Sequence, residues 1–248
     1  MSANSASFIL PTWPAPSSVR AYVSTRIGGV SGAPYDALNL GLHVQDDPVA
    51  VDQNRRLFAS YIDMPDSAIW LNQVHGTEVV TLPCEYLPAA ADAAMTRDVN
   101  QVCVVLTADC LPVFFCDQAG TQVAVAHAGW RGLCAGVLES TLAKFDDKSK
   151  VMVWLGPAIG PDAFEVGDEV KEAFVSVLSE AKEAFKPSGE SGKWLGNLYM
   201  LAAQRLKKAG VEHIYGGDYC TFRDVERFYS YRREAVTGRM ASVIWLDR

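Results

Sequence analysis

Long apolar runs, cationic tracts and histidines are all scarce in this sequence. No segment approaches the roughly 20 uninterrupted apolar residues that a membrane-spanning helix requires. The 22 Lys and Arg form no run longer than two and the net charge is −7, a poor match for sequence-independent binding to a nucleic-acid backbone. The N-terminal stretch MSANSASFIL has neither a basic segment nor a long apolar one, so it does not read as a secretory signal. A flexible tail is expected over residues 1–18 and a single domain over residues 19–248. The six cysteines (Cys84, Cys103, Cys110, Cys116, Cys134 and Cys220) show no Cys-x-x-Cys spacing. Without an export signal they are expected as reduced thiols in a cytoplasmic protein. The four histidines, His43, His75, His127 and His213, include no His-x-His pair. No apolar stripe or basic patch declares a protein partner.

What is present is ample core material, 49% of the 248 residues being apolar. Residues 19–26 alternate like a strand and run into a Gly-rich loop. Residues 47–62 read as a helix with Asp47 as cap and Pro48 in its first turn. Short strands are expected over 68–75, 101–108, 112–117 and 121–128. The apolar spacing from Trp130 to Leu142 predicts one helix, and that from Val170 to Phe185 a second, starting at Gly167-Asp168. Residues 151–160 form a buried strand closing on Gly-Pro, and 196–209 a helix ended by Gly210. Residues 240–247 make a last strand. The Gly/Ser-rich stretch 186–196 is the nearest candidate for a boundary or linker. Mixed elements with short hairpin connections predict an α+β domain rather than a doubly wound sheet.

Two apolar runs end on reactive side chains, Cys110 in TADCLP and His127 in AHAGWRG, and a third ends on His75 in NQVHG. Ligands on separate ordered strands can be held rigidly at one sheet edge, and two imidazoles with one thiolate leave tetrahedral zinc an open fourth position. The spacings of 35 and 17 residues match no compact zinc motif. Cys110 as nucleophile with His127 as base fits the same residues equally well. His43 and His213 are expected to be structural or on the surface, and the other five cysteines to be core or loop thiols. Arg26, Arg55 and Arg131, together with the helix start in HAGWRG, are candidates for binding phosphate or carboxylate. GPAIG (156–160) reads as a simple turn.

The ordered motifs STRIGGVS, LNLGLHVQDD, NRR, NQVHG, TADCLPV, AHAGWRGL, GPAIGP, FEVG and FYSYRREAVTGRMASVIWL resemble the YfiH family, whose members are also called laccase-domain, polyphenol oxidoreductase or purine nucleoside phosphorylase YfiH-like proteins. The resemblance runs from about Thr25 to Leu246. It implies a single domain with a four-layer α/β/β/α arrangement and a metal site that maps onto His75, Cys110 and His127. Zinc is the expected metal, with copper able to occupy the same ligands. The implied chemistry is phosphorolysis of adenosine, inosine, guanosine or 5′-methylthioadenosine, with phosphate as co-substrate, and deamination of adenosine. The alternatives carried by the family are a hydrolase editing peptidoglycan precursors and, least favoured by four histidines, a copper-dependent polyphenol oxidase. Arg26, Asn39, Arg55, Gln73, Asp92, Asp109 and Arg131 sit in matching motifs. On chemical grounds Asp109 and Asp92 are candidate proton carriers, Arg26 and Arg55 candidate cations for catalysis, and Asn39, Gln73 and Arg131 candidate substrate contacts.

Overall fold

The computed structural model describes residues 8–86 and 90–247. In chain order its strands are β1 (Phe8–Ile9), β2 (Val19–Ser24), β3 (Ile69–Trp70), β4 (Val79–Leu82), β5 (Ala93–Thr96), β6 (Cys103–Thr107), β7 (Leu111–Asp117), β8 (Val123–Ala128), β9 (Val151–Leu155), β10 (Glu165–Gly167), β11 (Phe185–Pro187), β12 (Lys193–Gly196), β13 (His213–Gly216) and β14 (Met240–Leu246). Its helices are α1 (Pro48–Tyr61), α2 (Trp130–Ala135), α3 (Val137–Leu142), α4 (Asp168–Val177), α5 (Leu198–Lys208) and α6 (Tyr231–Glu234). The strands build three sheets, ordered β1-β2-β14-β6-β3, β13-β9-β7-β8-β5-β4 and β10-β12-β11.

Side-chain alternation on the two larger sheets sets the layering. On β7, Val113 and Phe115 join the apolar cluster under α3, α4 and α5, while Phe114 and Cys116 turn to the other side. There they meet Cys103 and Val105 of β6 and Ala21 and Val23 of β2, which closes the two sheets face to face. The opposite face of β6 and β14, carrying Val104, Leu106, Val243 and Trp245, packs with Phe58 of α1 and with Leu38 and Leu40. Three apolar clusters thus separate four layers, helix, sheet, sheet and helix. This is the mixed α+β single domain that the sequence resemblance implies.

Several expectations change in detail. Residues 1–7 of the expected tail lie outside the described residues, but Phe8 and Ile9 pair with Ser24 and Val23 of β2, so the ordered fold starts before residue 19. The helix expected from Trp130 to Leu142 is two, broken at Gly136, whose φ of 107° ends α2 and starts α3. The helix expected through Phe185 stops at Val177. Leu178 is extended, a 3-10 segment follows over Ser179–Ala184, and Phe185 opens β11. The apolar faces of all these pieces still reach one cluster, which is why their spacing resembled a single helix. Residues 186–196 are no linker: they supply the β11–β12 hairpin, with Lys186 opposite Leu195. Asp47 does cap α1, accepting from the Val49 N–H at 3.0 Å with Pro48 beside it. No helix among the described residues is long and apolar enough to cross a membrane.

Candidate metal centre

The antiparallel register of β7 and β8 sets Pro112 opposite His127 and Leu111 opposite Ala128. Cys110, immediately before β7, therefore reaches the same sheet edge as His127. His127 continues the series of Val123 and Val125, which face the second sheet, so the pair sits where the layer between the sheets opens. His75 arrives on the segment after β3. That segment was expected to be strand as far as residue 75, yet β3 ends at Trp70. Its backbone N–H groups go elsewhere: those of Val74, His75 and Gly76 all donate to the Asp92 carboxylate, at 3.1, 2.9 and 2.7 Å. A side chain has replaced the neighbouring strand as acceptor.

Asp92 also fixes His127. Its Oδ1 lies 2.8 Å from Nδ1 of His127, and its backbone carbonyl accepts the His127 N–H at 2.7 Å. With Nδ1 so engaged, Nε2 of His127 is the nitrogen available to a cation. One ligand atom each from His75, Cys110 and His127 falls within 4.8 Å of the others, the one such group among the described residues. The two imidazoles meet edge to face, with centroids 4.7 Å apart. His127 is buried, Cys110 half-buried and His75 exposed, so the group opens on one side.

The electrostatics follow from this packing. Burial pushes the His127 imidazolium down, but Cys110 and the bonded Asp92 carboxylate outweigh it and lift the pKa to about 9. His75 shifts downward, chiefly through burial and then through His127 beside it. Burial pushes Asp92 upward, yet its bonds to His127 and the loop N–H groups leave it below the usual carboxylate range. The backbone of Gly129 is pressed against the group: a Cβ there would lie 2.3 Å from Nδ1 of His75 and 3.0 Å from Sγ of Cys110. Only glycine leaves both side chains in place.

The group lines a cleft of about 850 Å³. Arg55, Arg131, Arg239 and His43 line it, with Trp70, Trp130 and Tyr231 as aromatic walls and no carboxylate among the lining residues. Thr107, at the end of β6, also lines it, and its buried hydroxyl has no hydrogen-bond partner.

Residues 20–247 match the family described as multi-copper polyphenol oxidoreductase laccase. The chain belongs to this family. Within it, the chain is 56% identical over 241 residues to the purine nucleoside phosphorylase YfiH of Escherichia coli K12, spanning 96% of this chain and 98% of that one. It is 52% identical to a purine nucleoside phosphorylase of Pseudomonas aeruginosa, spanning 97% and 98%. Among solved structures, a Neisseria meningitidis protein superposes with a TM-score of 0.93 at 48% identity, over 98% of this chain and all of the other.

The other sequence-selected residues of this laccase-family chain divide between the cleft and its supports. Arg55, Gln73 and Arg131 line the cleft. Gln73 grips the backbone of Leu106, donating at 2.8 Å and accepting at 2.7 Å, and so extends the ladder of β6 beyond the end of β3. Arg131 is exposed and lies over the Trp130 ring. Asp109 stands behind Cys110, accepting from Thr221 Oγ1, Ser230 Oγ and the Arg232 N–H at 2.6, 3.1 and 2.7 Å. Asn39 is fully buried and holds backbone on both sides, accepting from the N–H groups of Gly41 and Arg239 at 3.0 and 2.9 Å. Arg26 is outside the cleft lining, its guanidinium on Tyr229 and shared between Asp36 and Glu234. The α2 helix that opens at HAGWRG has only six residues.

Sequence reasoning ranked neither Arg239 nor Tyr231 and set His43 aside as structural or surface, although all three line the cleft. Arg239 lies in a quoted motif, but its placement depends on pairing of Met240 with Thr107, a contact 133 residues apart. His213 lies in β13 and outside the cleft lining. All six cysteines are free, as expected. Burial pushes the Cys103 thiol up and that of Cys116 up to about 12, so both are inert core residues.

Proposed function

We propose that the protein is a zinc-dependent purine nucleoside phosphorylase. The observation that carries this reading is the lining of the cleft, with cations and aromatic faces around two imidazoles and a thiol, and no carboxylate. In a chain of net charge −7, such a lining suits an anionic co-substrate beside a flat base. His75, Cys110 and His127 fit a zinc ion, because Asp92 already fixes the His127 ring with Nε2 left over and the ligand atoms already converge. When bound, zinc supplies a Lewis acid on the open side of the triad.

The guanidinium N–H groups then offset phosphate charge and orient one of its oxygens. That oxygen bonds to C1′ as the C1′–N9 bond breaks, and the bonding pair leaves with the purine. Trp70, Trp130 and Tyr231 offer the faces on which the base can stack. Adenosine, inosine, guanosine and 5′-methylthioadenosine are the proposed substrates, giving free base and the (methylthio)ribose 1-phosphate. Adenosine deamination is a secondary activity in the same cleft. It needs a carboxylate to carry a proton to ammonia, and the two candidates are engaged: Asp92 by four hydrogen bonds, Asp109 by three.

A second reading rests on the proximity of Cys110 and His127, which offer a sulfur and a ring nitrogen within 4.8 Å of each other. A Cys110 nucleophile with His127 as base gives a hydrolase for peptidoglycan precursors. Copper-dependent polyphenol oxidation ranks last, because a multi-copper cluster needs more imidazoles than the two that converge here.

Chromatography of adenosine incubated with the purified protein and phosphate, beside Cys110→Ala, tests the proposal. Adenine from the wild type alone supports phosphorolysis, inosine supports deamination, and absence of both defeats the nucleoside reading. Iodoacetamide separates the two roles of Cys110. A metal-held thiolate reacts only after chelation, whereas a free nucleophile reacts at once.

A further inference from the structure

Three nitrogen-bearing side chains, two guanidinium groups and an imidazole, are fastened to one short stretch, Asn39–His43. Arg55 of α1 gives both Nε and Nη2 to the Leu40 carbonyl, at 3.1 and 2.9 Å. Arg239 is tied by its backbone, its N–H donating to Asn39 Oδ1 at 2.9 Å and its carbonyl accepting the Leu40 N–H at 3.2 Å. His43 belongs to the stretch itself. Gly41 lies between two of the three: a Cβ there would stand 2.8 Å from Cγ of Arg239 and 3.4 Å from Cε1 of His43. All three side chains line the cleft that holds the triad.

Their donors are only partly used. Arg239 gives Nη1 to the carbonyls of Thr237 and Gly238, at 2.9 and 3.0 Å, and no described residue accepts from its Nε or Nη2. No described residue accepts from Nη1 of Arg55, whose Cζ lies 3.7 Å from the Trp70 centroid. Neither guanidinium forms an ion pair among the described residues, whereas Arg26, Arg205 and Arg233 each have a carboxylate. Burial lowers the pKa of Arg239 and brings that of Arg55 down to about 10, so both remain charged at neutral pH with no carboxylate in ion-pair contact among the described residues. His43 is lowered by burial first and then by Arg239 and Arg55 together, which places it in the field of both. Part-buried cations with spare donors and no acidic partner are matched to an anion that arrives as ligand.

We propose that Arg55, Arg239 and His43 form the phosphate subsite of the cleft, with Asn39 as the residue that positions Arg239. The proposal rests on the phosphorolysis reading and gives its co-substrate an address. It also accounts for fully buried Asn39: its amide sets the chain geometry that aims Arg239, without touching the ligand.

The test uses the full-length, zinc-loaded protein in two assays: calorimetric titration with inorganic phosphate, and phosphorolysis over a range of phosphate concentrations. Arg239→Gln and Arg55→Gln should each weaken phosphate binding and raise its KM about 10-fold or more, with the nucleoside KM and zinc content unchanged. Arg239→Lys, keeping the charge, should recover part of the loss. Asn39→Ala should raise the phosphate KM while leaving that of the nucleoside alone. Arg56→Gln, a neighbour of Arg55 that pairs with Asp52, removes the same charge and should change nothing. His43 makes no described hydrogen bond, so His43→Ala should fold normally and raise the phosphate KM about threefold.

Unchanged phosphate affinity and KM in the His43 variant and in the folded arginine variants overturns the subsite. A wild type that binds phosphate, loses it in these variants, yet cleaves no nucleoside leaves the subsite standing and removes phosphorolysis. A wild type that neither binds nor uses phosphate removes both.

Discussion

Asp92 braces two of the three side chains of this candidate centre. Its carboxylate accepts three successive backbone N–H groups that shape the His75 loop, and it holds the His127 ring through Nδ1. Asp92→Asn keeps the shape but turns an amide donor toward one set of those N–H groups. The expected result is a loss of zinc affinity of about 10–100-fold, read by competition with a chromophoric chelator. Thr107 predicts the opposite kind of outcome. Its hydroxyl is buried without a partner, so Thr107→Val should leave the melting temperature unchanged or raise it. At this scale the sequence showed which residue types were present but not which were occupied. Arg26 and Arg55 looked alike as cations, yet one is neutralised by Asp36 and Glu234 while the other keeps a spare donor facing the cleft.

At the scale of elements, periodicity reported burial more faithfully than local conformation. Leu133, Val137, Leu138 and Leu142 do share one core, but Gly136 with φ of 107° divides their helix. An L side chain at that φ costs about 1–2 kcal/mol. Gly136→Ala should therefore lower the melting temperature by several degrees, as followed by circular dichroism. Capping was legible because it is local: Asp47 and Pro48 act within one turn of α1. The end of β3 was not, because the acceptor for the 74–76 backbone is a carboxylate 16 to 18 residues downstream.

The whole molecule is closed by contacts between distant segments, and Glu234 is one of their junctions. It accepts from Thr237 at 2.7 Å, from Arg233 at 3.0 and 3.1 Å and from Arg26 at 3.2 Å. Burial pushes its carboxyl up, but the bonds from Thr237 and Arg233 outweigh this and hold it below the usual glutamate range. A carboxyl lowered by folding adds stability above its unfolded value of about 4.3, and that stability fades as pH falls through the folded value. Glu234→Gln should therefore lower the melting temperature at neutral pH, with the gap to wild type closing below about pH 4. Arg26 belongs to this junction, so its loss should register in stability before it registers in turnover.

The sequence by itself determined the α+β class, most strands and the cap of α1, and its family resemblance pointed to the three side chains of the centre. The class, the strands and the cap depend on residue type or on spacing within one element, where 2.0 and 3.6 residue periods and turn chemistry act directly. The tertiary structure decided that His75, Cys110 and His127 meet, that Asp92 fixes them, and that Arg239 and His43 join Arg55 in the same cleft. Those facts depend on register between β7 and β8 and between β6 and β14, and on which buried charges find partners. Register is a property of paired strands, and no single stretch of the chain carries it.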